Sequence, residues 1–160
     1  MGSMTEIGAS YLVDTNVLLR LVQPDSPEHG SIRKCTDMLW AQGADLLYTS
    51  QNLAEFWNVC TRPPERNGFG FSISEADDRA SLIEAKLTFA ADSEATHREW
   101  RKIVVMEQVS GIQVHDARLV AAMYIHKIGN LLTLNVQDFR RYRNIVVVSP
   151  QSVLRASLGG

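Results

Sequence analysis

Short apolar runs alternate with amphipathic segments along the chain. The runs fit strands buried on both faces, as in a parallel sheet, and they occupy residues 11–13, 46–49, 131–134 and 145–148. The segments between them repeat apolar side chains at intervals of three and four positions, which is typical of helices packed on one side. This alternation predicts an α/β fold built on a parallel sheet.

Six helices are predicted between these strands. They cover residues 17–22, 28–42, 51–61, 74–89, 94–109 and 116–127. Ser50 fits the N-cap of the third predicted helix, and Ser74 with Asp77 resembles a capping pair that opens the fourth. Pro150 fits the end of the last strand. Because no linker or repeat divides the chain, we expect a single domain.

The composition is that of an ordinary globular domain. Of the 160 residues, 45% are hydrophobic and 21% are charged, and the formal net charge is −2. These values exclude a collagenous chain, a disordered acidic tail and a disulfide-dense mini-protein. They also argue against binding of nucleic acid through bulk positive charge. Residues 1–3 resemble a cloning remnant, so the expected domain covers residues 4–160.

The cysteines and the apolar runs bear on location. Cys35 and Cys60 have apolar, helix-like surroundings and lack zinc-site spacing, which favours buried free thiols in a reducing compartment. No apolar run approaches the ~20 residues that span a bilayer, and no signal-peptide pattern opens the chain. We therefore expect a cytoplasmic protein without a membrane partner.

Acidic side chains lie where predicted strands end or where helices begin beside them. Asp14 follows the first strand, Asp138 comes shortly after the third, Glu55 lies in the helix after the second, and Asp116 opens the last helix. Open parallel sheets bind ligands beyond the carboxyl ends of their strands. If these carboxylates meet there, their repulsion calls for a cation, and hard oxygen ligands select Mg²⁺ or Mn²⁺. Such an ion supports phosphodiester hydrolysis.

Each acid also fits a purely structural role. Asp14 and Asp116 suit helix N-termini, which favour acidic caps. Glu55 lies opposite an apolar helical stripe and fits a solvated surface acid, while Asp138 fits a turn. The spacing alone therefore leaves both interpretations open.

Four segments, taken in order, resemble the motifs of the PIN domain family. They read LVDTNVLL at residues 12–19, SQNLAEF at 50–56, VHDARLVAA at 114–122 and LTLNVQDF at 132–139. Each segment is weak by itself, but together they extend the resemblance over residues 11–150.

The resemblance implies a three-layer α/β/α fold with a short-stranded, mainly parallel central sheet. It also implies an Mg²⁺- or Mn²⁺-dependent endoribonuclease that cuts RNA. Many bacterial members are VapC-type toxins, held by an antitoxin that inhibits the toxin and anchors the pair to DNA. A homodimer is expected on the same basis.

The resemblance assigns roles to individual residues. The metal-binding and catalytic acids are Asp14, Glu55, Asp116 and Asp138. Asp14 and Asp116 are expected to hold one ion, with the other two orienting water or completing a weaker second site. The supporting polar residues are Thr15, Asn16, Thr133 and Asn135. Asn135 stands where many members carry Asp, which puts a tightly bound second metal in doubt.

Basic residues near this motif are predicted to contact RNA. Arg140, Arg141 and Arg143 follow Asp138 and fit either phosphate binding or a solvated turn, and Arg118 fits either phosphate binding or an ion pair. Without the four predicted site acids, the remaining 14 acidic side chains face 16 basic ones, a balance of +2. A near-neutral total is therefore compatible with an RNA substrate.

Three rival functions share parts of this pattern. A phosphoaspartate phosphatase of the haloacid dehalogenase type requires Asp where this chain has Asn16. A response-regulator receiver requires an acidic pair near the first strand and a lysine after the last, and no lysine follows Lys127. A catalytically silent PIN-type interaction module keeps the fold without activity, and the four acids argue against it.

Overall fold

Parallel strands form the centre of the fold. The computed structural model describes residues 8–159, so the predicted cloning remnant at residues 1–3 lies outside the described residues. Within that range a five-stranded sheet has the order β3-β2-β1-β4-β5, with every neighbouring pair parallel. The strands are β1 (Ser10–Val13), β2 (Asp45–Thr49), β3 (Thr88–Ala90), β4 (Asn130–Leu132) and β5 (Val146–Val148).

Helices cover both faces of this sheet. The described α-helices are α1 (Thr15–Leu21), α2 (His29–Ala41), α3 (Ser50–Thr61), α4 (Ile73–Lys86), α5 (Glu94–Met106), α6 (Val114–His126) and α7 (Pro150–Gly159). Short 3₁₀ turns occupy Pro64–Arg66, Gly111–Gln113 and Val136–Phe139. Among residues 8–159, none of the helices combines the length and apolarity needed to cross a bilayer.

Successive strand residues supply two separate cores. Val13, Leu46 and Leu132 pack with the apolar faces of α1 to α4, whereas the adjacent Leu12 and Leu131 pack with α5 and α6. This follows from the two-residue period of a strand, which sends neighbouring side chains to opposite faces. The continuous apolar runs therefore mark strands with helices on both sides, and the predicted three-layer α/β/α architecture is confirmed.

The edge strand β3 was not predicted. The sequence pattern predicted that the fourth helix extends to Phe89. In the structure α4 ends at Lys86, and Thr88–Ala90 pairs with β2. Two of the three β3 residues are exposed, so the strand has no apolar run that could distinguish it. Thr88–Ala90 forms a strand because its backbone pairs with β2, and the local sequence pattern does not show this pairing.

The C-terminal helix α7 was also missed. Pro150 was expected only to end the last strand, but it is the first residue of α7. Proline suits the first helical turn because its missing N–H would have no partner there.

Helix caps fall one or two residues before the predicted positions. Thr49, not Ser50, caps α3: its hydroxyl accepts the Asn52 N–H at 3.1 Å, and its own N–H donates to Asn52 Oδ1 at 2.9 Å. Ser72, not Ser74, caps α4 through the equivalent exchange with Glu75. In both cases the cap is the last residue with extended backbone, so the end of the preceding segment decides the position.

Cys35 and Cys60 are buried free thiols, as predicted. Both lie in the core shared by α1 to α4. Burial raises the pKa of each thiol to about 11, so both stay protonated near neutral pH.

Substitution of Thr49 tests the position of the α3 cap. Thr49→Ala removes the hydroxyl that accepts the Asn52 N–H, so we expect the free energy of unfolding to fall by about 1–2 kcal/mol. Ser50→Ala is the matched control, since Ser50 is exposed and its change is expected to stay within about 0.5 kcal/mol. Urea unfolding followed by circular dichroism measures both. An equal loss for the two variants would contradict the assignment of the cap.

Candidate metal centre

The candidate centre lies where the strand order reverses. In the strand order, β2 and β3 lie on one side of β1, whereas β4 and β5 lie on its other side. Such a switch point leaves a crevice beyond the carboxyl ends of the two central strands, and ligands of open α/β sheets bind there. Asp14 follows β1 and Thr133 follows β4, so both border this crevice.

Asp14 is buried at the exit of β1. Its Oδ1 accepts the Thr15 N–H at 2.8 Å and its Oδ2 accepts the Thr133 hydroxyl at 2.8 Å. Burial is the largest influence on its pKa and raises it; the hydrogen bonds from Thr133 and Thr15 oppose the rise, and the charges of Glu55 and Asp138 add to it. Asp14 is also the N-cap of α1, as the structural interpretation of this residue predicted.

The predicted supporting residues tie the end of β4 to the start of α1. Thr133 is fully buried, donates to Asp14, and accepts the Asn135 N–H at 3.0 Å. Asn16 Oδ1 accepts the Leu134 N–H at 3.2 Å. The residues around Asp14 are therefore fixed by hydrogen bonds of their own, and this fixes the orientation of the Asp14 carboxylate.

Glu55 is anchored, in contrast to a solvated surface acid. Its Oε1 accepts the Thr15 hydroxyl at 2.9 Å and its Oε2 accepts the Gln51 amide at 3.2 Å. The same Gln51 nitrogen donates to the backbone oxygen of His115 at 2.9 Å, which connects α3 to the start of α6. Because Glu55 is half-buried with both oxygens engaged, α3 presents it toward Asp14 in a set position.

Asn52 and Gln51 are polar residues of this network that sequence reasoning missed. Asn52 is fully buried, completes the α3 capping box by accepting from Thr49 at its Oδ1, and donates from Nδ2 to the Thr15 hydroxyl at 3.3 Å. The available signal was an Asn three residues after Thr49, which is the spacing of a capping box. Gln51 and Glu55 have the i, i+4 spacing of a helix, but the bond from Gln51 to His115 had no local signal, since it spans 64 positions.

Asp116 lies in the first turn of α6 and is half-buried. The sequence pattern opened this helix at Asp116, but α6 begins two residues earlier with Gln113 at the cap position, so Asp116 is not an N-cap. Burial raises the pKa of Asp116 to about 6, with further increases from the charges of Asp14, Asp138 and Glu55. The charge of His115 acts in the opposite direction.

Asp138 completes the acidic group from the turn Val136–Phe139. It is exposed, and its backbone N–H donates to the Asn135 oxygen at 3.1 Å. Its charge is close enough to raise the pKa of both Asp14 and Asp116. The structure thus brings all four predicted acids into one electrostatic environment.

Within residues 8–159, the four acids lack cationic partners. In the described residues, no lysine or arginine forms an ion pair with any of the four acids. Across the same residues, no three acidic, histidine or cysteine side chains stand close enough together to ligate a single ion as placed. The donor set suits a hard divalent cation, and at least one carboxylate would have to rotate to complete its ligation.

The predicted RNA-contacting arginines have different surroundings. Arg118 forms an ion pair with Asp92, with 3.3 Å between its Nη2 and an Asp92 oxygen. Arg141 donates to the Glu107 backbone oxygen at 3.1 Å and to Gln113 Oε1 at 2.7 Å. Arg140 and Arg143 are exposed. Arg118 therefore takes the ion-pair alternative, and the other three form a group of their own.

Solved toxin–antitoxin structures share this fold. VapBC2 from Rickettsia felis, bound to a DNA fragment from its promoter, aligns with a TM-score of 0.66 at 14% identity over 88% of this chain and 98% of that one. VapBC-1 from nontypeable Haemophilus influenzae gives 0.66 at 15% identity over 89% and 98%. VapC20 from Mycobacterium tuberculosis, a sarcin–ricin loop cleaving toxin, gives 0.54 at 19% identity over 76% and 86%.

Comparison of sequences alone gives no match, since neither a protein-family model nor a curated protein matches the chain. The likeness at 14–19% identity is one of fold. It confirms the PIN-like α/β/α architecture that the four motifs implied.

Asp116→Asn is expected to stabilise the metal-free protein. The folded-state pKa of Asp116, about 6, lies above its ordinary value of 3.8, so the folded state binds more protons between these values and stability falls as pH rises through them. Discounted for partial exposure, the gain in the free energy of unfolding should be about 1 kcal/mol near pH 7 and absent near pH 3. Urea unfolding in EDTA measures it.

Asp25→Asn provides the matched control, because Asp25 is an exposed loop acid. It is expected to leave stability unchanged at both pH values. A gain for Asp116→Asn that is the same at both pH values, or a loss near pH 7, would contradict the electrostatic account.

Proposed function

We propose that the protein is an Mg²⁺- or Mn²⁺-dependent endoribonuclease and the toxin of a toxin–antitoxin pair. The observation that carries this proposal is the group of four carboxylates, without a cationic partner among the described residues, at the switch point of a VapC-like fold. The presence of an RNA-cleaving toxin among the proteins of this fold supports the reaction class.

The side chains fit a divalent ion in their chemistry and in their freedom to move. Asp14 and Asp116 would hold it, with Glu55 and Asp138 beside them. Asp14 and Glu55 are fixed by hydrogen bonds, whereas the carboxylates of Asp116 and Asp138 accept none from the described part of the chain. Those two side chains can therefore rotate toward the fixed pair, and a divalent ion between the four charges would offset the repulsion that opposes this movement.

Hydrolysis of a phosphodiester needs a held phosphate, a positioned water and a means to offset negative charge. A Mg²⁺ or Mn²⁺ ion held by these acids would supply activation of water and would offset charge on the phosphate. Thr133 and Thr15 keep Asp14 oriented toward the crevice, and Gln51 does the same for Glu55. Asn135 supplies a neutral oxygen where a fifth acid would add charge, which favours one tightly held ion over two.

The proposal also defines the partners. RNA is the substrate, and an antitoxin is the protein inhibitor, as the toxin–antitoxin complexes of the same fold support. DNA is reached only through that antitoxin, and the active species is a homodimer.

A catalytically silent interaction module is the second candidate. One observation favours it, namely that in the described residues no three ligating side chains converge as placed. Metal binding separates the two candidates, since the module has no reason to bind Mn²⁺.

Asp14→Asn tests the nuclease. The amide keeps the size and helix-capping capacity of Asp14 but removes its charge. Cleavage of a mixture of transfer, messenger and ribosomal RNA in Mn²⁺ should fall at least about 100-fold, because loss of even an outer partner of a metal ligand costs roughly 10–100-fold. Gel analysis of end-labelled RNA measures the rate, and EDTA should abolish the cleavage by the parent.

Asp25→Asn again serves as the control and should cleave as the parent does. Isothermal titration with Mn²⁺ runs in parallel, with heat expected for the parent and little for Asp14→Asn. Equal cleavage by Asp14→Asn and the parent would overturn the assignment of Asp14. No Mn²⁺ binding and no cleavage by the parent would establish the interaction module instead.

A further inference from the structure

A second polar pocket lies just after the fourth acid in sequence. It has a volume of about 450 Å³ and is lined by Glu107, Tyr124, Arg140, Arg141, Arg143 and Asn144. Three of these six lining residues are arginines, and Glu107 is the acidic one. We call it the arginine pocket.

Buried anchors determine which side chains reach this pocket. Phe139, Tyr142 and Ile145 are 1%, 3% and 8% exposed and pack into the core shared by α5 and α6. Because every third side chain points inward, the residues between them, Arg140, Arg141, Arg143 and Asn144, are left to face outward. The arginines are therefore presented by a segment held at three points rather than by a loose loop.

The arginines differ in what holds them. Arg141 is positioned by its bonds to the Glu107 backbone oxygen and to Gln113. Arg140 and Arg143 are exposed and form no ion pair with any carboxylate in residues 8–159. Guanidinium groups collected in one pocket repel each other, and an anion placed among them would remove that repulsion.

The arginine pocket is linked to the acidic centre through α6. Gln113, which accepts from Arg141, caps α6, the helix that carries Asp116 in its first turn. The charge of Asp116 also reaches the hydroxyl of Tyr142, one of the buried anchors. The segment that carries the arginines therefore meets the element that carries Asp116 at the N-terminal end of α6.

We infer that the arginine pocket binds phosphate groups of an RNA strand beyond the position that is cut. The planar fork of arginine matches phosphate oxygens with paired hydrogen bonds. The Tyr124 hydroxyl and the Asn144 amide add polar groups at the wall. Phosphate contacts fix the register of a strand and carry no sequence information, so this pocket contributes affinity and position but not base preference. The inference rests on the proposed function and deepens it.

RNA binding by paired charge variants tests the pocket. Arg140→Gln/Arg143→Gln removes two guanidinium groups from it, and Arg66→Gln/Arg155→Gln removes two exposed arginines elsewhere as a matched control. Fluorescence anisotropy measures binding of a labelled single-stranded RNA of about 12 nucleotides to each whole protein. EDTA prevents cleavage, and the thermal midpoint of each variant verifies folding.

The pocket variant should raise Kd about tenfold at low salt. It should also reduce the slope of log K against log salt by about 1.4, since each single-strand phosphate contact contributes roughly 0.7. The control should change Kd by less than about twofold, with an unchanged slope. Equal weakening by both pairs, or no weakening by either, would overturn the pocket and leave only long-range charge.

RNA strands with and without a 5′-phosphate distinguish internal from terminal phosphates. Equal loss for both strands supports internal phosphates, and loss confined to the phosphorylated strand supports a terminal phosphate in the same pocket.

Cleavage in Mn²⁺ separates this inference from the proposed function. For a nuclease with the pocket, Arg140→Gln/Arg143→Gln should raise KM and leave kcat within about twofold. A parent that cuts no RNA but shows arginine-dependent binding would remove the nuclease and keep the pocket. Parent-like binding and KM in the variant would remove the pocket and keep the nuclease.

Discussion

Burial of the Asp14 carboxylate is the constraint around which the carboxyl edge of the sheet is organised. An ionised carboxylate taken out of water needs hydrogen-bond donors, and here they come from Thr15 on α1 and Thr133 after β4. Thr15 in turn donates to Glu55, and Thr133 accepts from Asn135. One buried charge therefore draws together the ends of β1 and β4, the first turn of α1 and the second turn of α3.

The sequence predicted those features that depend on local pattern. Four of the five described strands were predicted from their apolar runs. In β2, Leu46-Leu47-Tyr48 is buried at every position, and burial on both faces requires such a continuous apolar run. The edge strand β3 faces solvent at Thr88 and Phe89 and lacks that signature. The cap of α3 was misplaced by one residue, since the choice between Thr49 and Ser50 depends on where the extended backbone of β2 ends.

The candidate centre shows the same division. Its acids were found because a resemblance of motifs pointed to them, and their spacing alone suited caps and turns equally well. The contacts of Asn52 with Thr15 and of Gln51 with His115 escaped notice because the partners lie 37 and 64 residues away. Neither contact leaves a trace in the neighbouring sequence. Long-range polar contacts of this kind become visible only when the chain connections place α3 beside α1 and α6.

The hydrogen bond between Asp14 and Thr133 also determines the stage of folding at which the acidic centre forms. The two residues are 119 positions apart, and the central strand β1 has β4 as its partner on that side. Closing a loop of this length comes late in the folding of a parallel sheet, after the local helices have formed. During synthesis, Asp14 therefore has no hydrogen bond from Thr133 until β4 and the residues that follow it have left the ribosome. The acidic centre is thus one of the last features that a growing chain acquires.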